Sequence, residues 1–116
     1  MMFSLFCCAQ QPKFVSYAPA DFEKLLKENP DVQLVDVRRP EEFAAGHLEK
    51  AILINVQDDG FIKKAESLLD KSKPVAVYCR SGKRSKDAAG KLTKKGFKVY
   101  DLDTGYLGWT AYRSGE

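Results

Sequence analysis

The sequence is poor in histidine, in cysteine and in long apolar runs. Its 116 residues include one histidine, His47, and three cysteines, Cys7, Cys8 and Cys79. One imidazole cannot complete a zinc-type set of ligands, and an odd number of cysteines gives no disulfide framework. No stretch is long enough to span a bilayer. The sequence therefore predicts a protein that uses no metal or cofactor and has no membrane span.

The length suits one domain, and we expect a monomer. Hydrophobic residues make up 44% of the chain, which can supply a core, and the 30% charged content argues against disorder. Residues 1–13 are apolar and then polar, which predicts a flexible segment before a domain of residues 14–116. The alternative is the remnant of an export signal or lipoprotein leader, with a cysteine as the lipid-attachment site. The location is accordingly cytoplasmic or, with a processed leader, periplasmic or lipid-anchored.

Segments rich in β-branched residues alternate with helical patterns along the chain. Strands are predicted at 32–37 and 74–78, with shorter candidates at 14–17, 51–54 and 97–100. Helices are predicted to begin at Pro19, Pro40, Asp58 or Asp59, Ser85 (as the N-cap) and Tyr106. Gly96 is placed to end the helix that Ser85 begins. This alternation is typical of an α/β fold whose parallel sheet is covered by helices on both faces.

The segment Cys79-Arg80-Ser81-Gly82-Lys83-Arg84-Ser85 directly follows a predicted central strand and leads into a helix. Parallel sheets bind ligands at this end of their strands. A cysteine reacts as its thiolate, and turn amides allowed by Gly82, a helix N-terminus and nearby cations all favour that anion. The same loop can bind a small anionic sulfur donor such as thiosulfate. The alternative is that Cys79 is a small buried hydrophobic residue.

Positive charge is concentrated immediately after Cys79. Residues 79–98 contain eight lysines and arginines against one acidic residue, Asp87. Such a field attracts small anions, although the outer lysines are equally consistent with a solvated helix face. No recognition motif with interleaved aromatic residues accompanies the charge, so we predict no nucleic-acid partner.

Several motifs, taken in order, resemble the rhodanese-like sulfurtransferase family. They are the Cys79 loop, Val35-Asp36-Val37-Arg38, Glu41-Glu42-Phe43, Gly46-His47-Leu48 and Gly105-Tyr106-Leu107-Gly108-Trp109. The resemblance covers about residues 14–113. It implies a five-stranded parallel sheet flanked by helices on both faces. The sequence departs from the family at Lys50 and at Thr104, where the family commonly has glycine.

The resemblance also implies roles for individual residues. Cys79 is expected to be the nucleophile that carries a persulfide, inside a loop whose amides wrap the sulfur. The substrate-binding residues are then Arg80, Ser81, Gly82, Lys83, Arg84 and Ser85, of which the two serines are candidate donors to the sulfur. Asp36 is expected to orient the loop, and Arg38 to pair with Glu42. His47 is expected to be a structural residue of a turn.

The predicted reaction is double displacement through Cys79. Thiosulfate or a related donor supplies the sulfur, and cyanide, a thiol or a protein accepts it. One alternative is a cysteine-based phosphatase or arsenate reductase, although those enzymes place an arginine six positions after the cysteine, where this chain has Ser85. The other alternative is a docking module, or a carrier that delivers the persulfide sulfur to a protein partner.

Overall fold

The computed structural model describes residues 13–115. The predicted flexible segment lies almost wholly outside the described residues, as do Cys7 and Cys8. Strands and helices alternate along the described chain, in the order β1 (Val15–Tyr17), α1 (Pro19–Glu28), β2 (Gln33–Asp36), α2 (Pro40–Ala45), β3 (Ile52–Leu53), α3 (Phe61–Leu68), β4 (Val75–Tyr78), α4 (Lys83–Lys94), β5 (Val99–Leu102) and α5 (Gly105–Arg113).

The strands form one five-stranded sheet in the order β1-β5-β4-β2-β3. Every pairing is parallel, so the carboxyl ends of all strands meet at one edge. This confirms the predicted α/β class with a five-stranded parallel sheet. The central strand β4 is buried along its whole length, as its unbroken apolar sequence predicts.

Two hydrophobic clusters, one on each face of the sheet, form the core. Val75 and Val77 of β4 face a cluster that includes Ala65 of α3 and Leu92 of α4. Ala76 and Tyr78 face the opposite way, into a cluster that includes Phe22 of α1. The alternation follows from the two-residue period of a strand. Trp109 of α5 packs edge-on against Phe22 at a centroid distance of 6.2 Å, which closes the second face.

Helix α4 begins earlier than the sequence predicts. Gly82 stands at the N-cap position and Lys83 is the first helical residue, so the predicted N-cap at Ser85 is wrong. The Ser85 side chain is instead buried inside the first turn, where it donates to Asp101. Gly96, with a φ of 95°, follows the end of α4 as predicted.

Strand β5 lies later in the chain than the predicted 97–100. It pairs with β1 through Leu102, opposite Tyr17, whereas Phe97 belongs to the core cluster before the strand begins. Within residues 13–115 we find no helix whose length and apolarity would let it cross a membrane.

Candidate active site

Cys79 immediately follows the central strand β4 at the carboxyl edge of the sheet. Its side chain is buried, with an exposed fraction of 1%. The first amides of α5 clamp the backbone around it, because Tyr106 N donates to the Cys79 carbonyl at 2.8 Å and Leu107 N donates to the Arg80 carbonyl at 3.0 Å. The position of the cysteine is therefore fixed by β4 from one side and by α5 from the other.

One backbone amide reaches the sulfur. Gly82 N donates to Cys79 Sγ at 3.1 Å, and Gly82 caps helix α4. A helix N-terminus carries free N–H groups and a partial positive charge, so this contact favours a negative charge on the sulfur. The family resemblance implied several amides around the sulfur and serine donors beside them. In the described chain the Ser85 hydroxyl turns away to Asp101, and Ser81 is exposed at the rim of the loop.

Two glycines make the tight loop possible. Gly82 has a φ of 110°, and a Cβ there would lie 2.0 Å from the Asp103 carbonyl oxygen. Gly105 has a φ of 67°, and a Cβ there would lie 2.5 Å from the Arg80 carbonyl oxygen. Both distances are shorter than any real carbon contact, so neither position accepts another residue without movement of the backbone. The loop after Cys79 and the loop before α5 are packed directly on each other.

Arg84 is held by Glu42 of helix α2. The guanidinium donates two hydrogen bonds to the carboxylate, at 2.7 and 2.9 Å. The Arg84 hydrogen bond is the main reason why the pKa of Glu42 falls from its usual 4.5 to about 2, and the same hydrogen bond raises the pKa of Arg84. The predicted pair of Arg38 with Glu42 is therefore wrong. Two helices that are distant in sequence are joined here, and Arg84 is not a free cation.

Arg38 pairs with Asp36 instead, two residues away. Arg38 Nε donates to Asp36 Oδ1 at 2.9 Å and Nη2 donates to Oδ2 at 2.7 Å, with both side chains buried. Nη2 also donates to the Gly46 carbonyl at 2.6 Å, and the guanidinium lies 4.5 Å from the ring centre of Tyr106. Asp36 thus holds Arg38 and makes no side-chain hydrogen bond to residues 79–85 in the described structure. This pair ties the turn after α2 to the sheet.

The remaining cations of the loop behave differently from Arg84. Arg80 and Lys83 are exposed, and neither forms an ion pair with a residue in the range 13–115. His47 is exposed and stacks on Phe43 at a centroid distance of 3.7 Å, with its Nδ1 2.9 Å from the Phe43 carbonyl oxygen. The described chain contains no group of three side chains suited to holding a metal ion.

One neighbour of the loop was not predicted from the sequence. Lys86 lies behind Gly82, where its ammonium contacts Asp101 and Asp103. The sequence shows Lys86 only as one of many lysines on a helix. Its partners lie fifteen or more residues later in the chain, so no local pattern distinguishes it.

The described residues form an α/β domain in which a cysteine follows the central parallel strand and contacts the N-terminus of the next helix. Within the α/β class the chain belongs to the rhodanese-like domain family, whose model matches residues 18–112.

Relatives from several organisms agree with this assignment. A sulfurtransferase of Allochromatium vinosum is 34% identical over 88 residues, covering 75% of this chain and 79% of that protein. Thiosulfate sulfurtransferase 18 of Arabidopsis thaliana is 35% identical over 89 residues, covering 66% of this chain and 65% of that protein. The tRNA uridine(34) hydroxylase of Pelagibacter ubique is 34% identical over 92 residues, but this chain spans only 30% of its length. A rhodanese-like domain protein of Staphylococcus aureus has a similar crystal structure, with a TM-score of 0.73 and 28% identity over 83% of this chain and 91% of that one.

Proposed function

We propose that this protein is a sulfurtransferase that moves sulfane sulfur from thiosulfate, or a related anionic donor, through a persulfide on Cys79. The observation that carries the proposal is the contact between Gly82 N–H and Cys79 Sγ at the start of α4. The amide donates to Sγ, the atom that attacks as a thiolate in the first displacement and leaves as a thiolate in the second. The sulfurtransferase names of two relatives support the same reaction class.

The reaction takes two displacements. The Cys79 thiolate attacks the outer sulfur of thiosulfate, an S–S bond forms at Cys79, and the S–S bond of thiosulfate breaks so that sulfite leaves with the electron pair. An acceptor such as cyanide or a thiolate then attacks the terminal sulfur. The persulfide bond breaks, the acceptor leaves as thiocyanate or a new persulfide, and the Cys79 thiolate returns. Both steps conserve charge and need no external oxidant or reductant.

The ion pairs of the loop determine which of its cations are available to bind the donor. Arg84 is occupied by Glu42, so its task is to hold α2 against the loop. Arg80 and Lys83 are exposed, with no ion pair among the described residues, and are free to attract a dianionic donor. We therefore assign donor binding mainly to Arg80 and Lys83.

The same ion pair makes phosphate chemistry the weaker candidate. Recognition of a tetrahedral phosphate relies on a bidentate guanidinium. Here the guanidinium of Arg84 already gives two hydrogen bonds to Glu42. The single amide aimed at Sγ is better matched to one sulfur atom than to a phosphate group.

Intact mass spectrometry tests the proposal directly. The purified protein is incubated with thiosulfate beside a Cys79→Ser control, and we expect a gain of one sulfur atom only in the unsubstituted protein. Addition of cyanide should remove the gain and release thiocyanate. If the mass does not change with thiosulfate or with an inorganic polysulfide donor, the persulfide mechanism is wrong for this protein. Hydrolysis of an aryl phosphate by the same sample would then favour the phosphatase alternative.

A further inference from the structure

The ammonium of Lys86 lies among four oxygen atoms behind the Cys79 loop. Lys86 Nζ is 3.1 Å from Asp101 Oδ2 and 2.9 Å from Asp103 Oδ1. It also donates to two backbone carbonyls, at 3.2 Å to Gly82 O and at 3.3 Å to Asp103 O. Lys86 therefore contacts the loop through its ammonium, although 40% of its side chain remains exposed.

Asp101 explains why a cation is needed there. Its carboxylate is completely buried, and it accepts hydrogen bonds from the hydroxyls of Ser85 and Ser16. A buried carboxylate without a counter-charge is strongly unfavourable, and Lys86 supplies that charge. Burial opposes the charged form of Lys86, but its hydrogen bonds to Asp103 and Asp101 outweigh the burial and raise its pKa.

The position of Lys86 near the start of α4 also indicates that its charge is compensated by nearby carboxylates. Cations are unfavourable at a helix N-terminus. The first turn of α4 contains no acidic residue, so the negative charge that offsets its cations must come from other elements. Arg84 is compensated by Glu42, and Lys86 by Asp101 of β5 and by Asp103 just after that strand. Lys83 has no such partner among residues 13–115. Lys86 is thus neutralised locally and differs from the cations that are free to attract a donor.

Gly82 connects this network to the reactive sulfur. The residue whose carbonyl accepts from Lys86 is the residue whose N–H donates to Cys79 Sγ. Gly82 also packs closely against the Asp103 carbonyl, because a Cβ at Gly82 would lie 2.0 Å from the Asp103 carbonyl oxygen. The Lys86 ammonium donates to both the Gly82 and the Asp103 carbonyls and so links the two loops.

We propose that Lys86 is a positioning residue that keeps Gly82 in the conformation that directs its N–H to the Cys79 sulfur. The inference rests on the proposed sulfur-transfer function, because the amide matters for the charge on that sulfur. Loss of Lys86 should slow the displacement at bound donor and leave donor binding by Arg80 and Lys83 almost unchanged.

Two measurements on the full chain test the role. The first is amide hydrogen exchange by NMR, in which Lys86→Met should reduce the protection of the Gly82 N–H while the amide of Ala89, farther along α4, stays protected. The second is the single-turnover rate of sulfur uptake from thiosulfate. We expect the rate at saturating thiosulfate to fall by about five- to tenfold in Lys86→Met, because a displaced Gly82 no longer fixes the sulfur in position for attack on the bound donor. The half-saturating thiosulfate concentration should change by less than about twofold, as expected when only transition-state stabilisation is lost.

Matched variants separate positioning from general damage. Lys91→Met removes an exposed lysine of the same helix, paired with Asp87 at 3.3 Å, and should change neither measurement. Lys86→Arg keeps a cation and several donors and should restore most of the Gly82 protection and of the rate. Unchanged Gly82 protection in Lys86→Met, or a loss of activity confined to the half-saturating concentration, would overturn the proposal. If the unsubstituted protein takes no sulfur from thiosulfate or from an inorganic polysulfide, the proposed function fails, and the NMR measurement still decides the role of Lys86.

Discussion

At the scale of single residues, Gly82 and Gly90 provide a test of what the Cys79 loop requires. Gly82 has a φ of 110° and no room for a Cβ beside Asp103. We predict that Gly82→Ala lowers the free energy of unfolding by about 2–3 kcal/mol, through backbone strain and steric overlap. It should also abolish sulfur loading at Cys79, because the amide contact is lost. Urea denaturation and intact mass after thiosulfate treatment measure the two effects.

Gly90 is the matched control in the same helix. It lies inside α4, and a Cβ at this position would meet no atom within 4 Å. Gly90→Ala should therefore raise the free energy of unfolding by about 0.5–1 kcal/mol through reduced backbone entropy in the unfolded state, with sulfur loading intact. Equal effects of the two substitutions would show that the special conformation of Gly82 does not matter.

Lys50 tests the point at which the sequence departs from its family. It is the only non-glycine residue with a positive φ in the described chain, at 73°, in the turn where the family resemblance leads us to expect glycine. Lysine is strained in this left-handed conformation. We predict that Lys50→Gly raises the free energy of unfolding by about 0.5–1 kcal/mol, since relief of strain exceeds the added unfolded-state entropy. Lys95→Gly, made at an ordinary φ of −94°, should lower the free energy of unfolding instead, and urea denaturation compares them.

At the scale of elements, the Glu42–Arg84 pair joins α2 to α4 and should make stability depend on pH. The folded pKa of Glu42, about 2, lies below its usual 4.5. The carboxylate therefore stabilises the fold fully above about pH 5, and that contribution is lost as the pH falls toward 2. We predict that Glu42→Gln lowers the free energy of unfolding by about 1–2 kcal/mol at pH 7, as expected for a charge-assisted hydrogen bond. The difference from the unsubstituted protein should shrink at pH 3 in urea denaturation.

Glu41 is the control for that experiment. It also lies in the first turn of α2, is exposed, and forms no ion pair with a described residue. Glu41→Gln should change the free energy of unfolding by less than about 0.5 kcal/mol at either pH, as is usual for an exposed surface substitution. A Glu42→Gln variant that is as stable as Glu41→Gln would contradict the structural role assigned to the ion pair.

The elements differ in how well the sequence predicts them. Strands β2 and β4 and the start of α1 at Pro19 are found because β-branched runs and proline act locally. The N-cap of α4 is wrongly predicted at Ser85, because its hydroxyl has a better partner in Asp101, sixteen residues later. A rule based on neighbouring residues cannot anticipate a partner supplied by another strand.

In the candidate site, too, some features can be predicted from the sequence and others cannot. The position of Cys79 and the need for Gly82 follow from the strand-loop-helix pattern, and the structure places both at the start of α4. The partners of the charged side chains do not follow from the sequence. Many carboxylates are available to Arg38, Arg84 and Lys86, and only the packing of α2, α4 and β5 decides which one each takes.

At the scale of the whole molecule, the distribution of charge matters more than its sum. The net charge is +3, and eight basic residues lie between positions 79 and 98. If the whole field attracts thiosulfate, the removal of any one of these cations should have a similar effect. If attraction depends on the cations at the loop that form no ion pair with a described residue, removal of a cation close to the loop should weaken it more than removal of a distant one. The reason is that exposed charges are screened over about 10 Å at 0.1 M salt.

Lys83→Ala and Lys94→Ala separate these two possibilities, because each lowers the net charge by one and both lysines are exposed on α4. For the unsubstituted protein we predict that kcat/KM for thiosulfate falls by about three- to tenfold when NaCl rises from 0.02 to 0.5 M, as expected for a screened attraction. Lys83→Ala should have a lower kcat/KM at low salt and should lose part of this dependence, because one of the two cations assigned to donor binding is gone while Arg80 remains. Lys94→Ala, at the far end of the helix, should keep the original dependence. Identical behaviour of the two variants would mean that the overall field, and not the loop, attracts the donor.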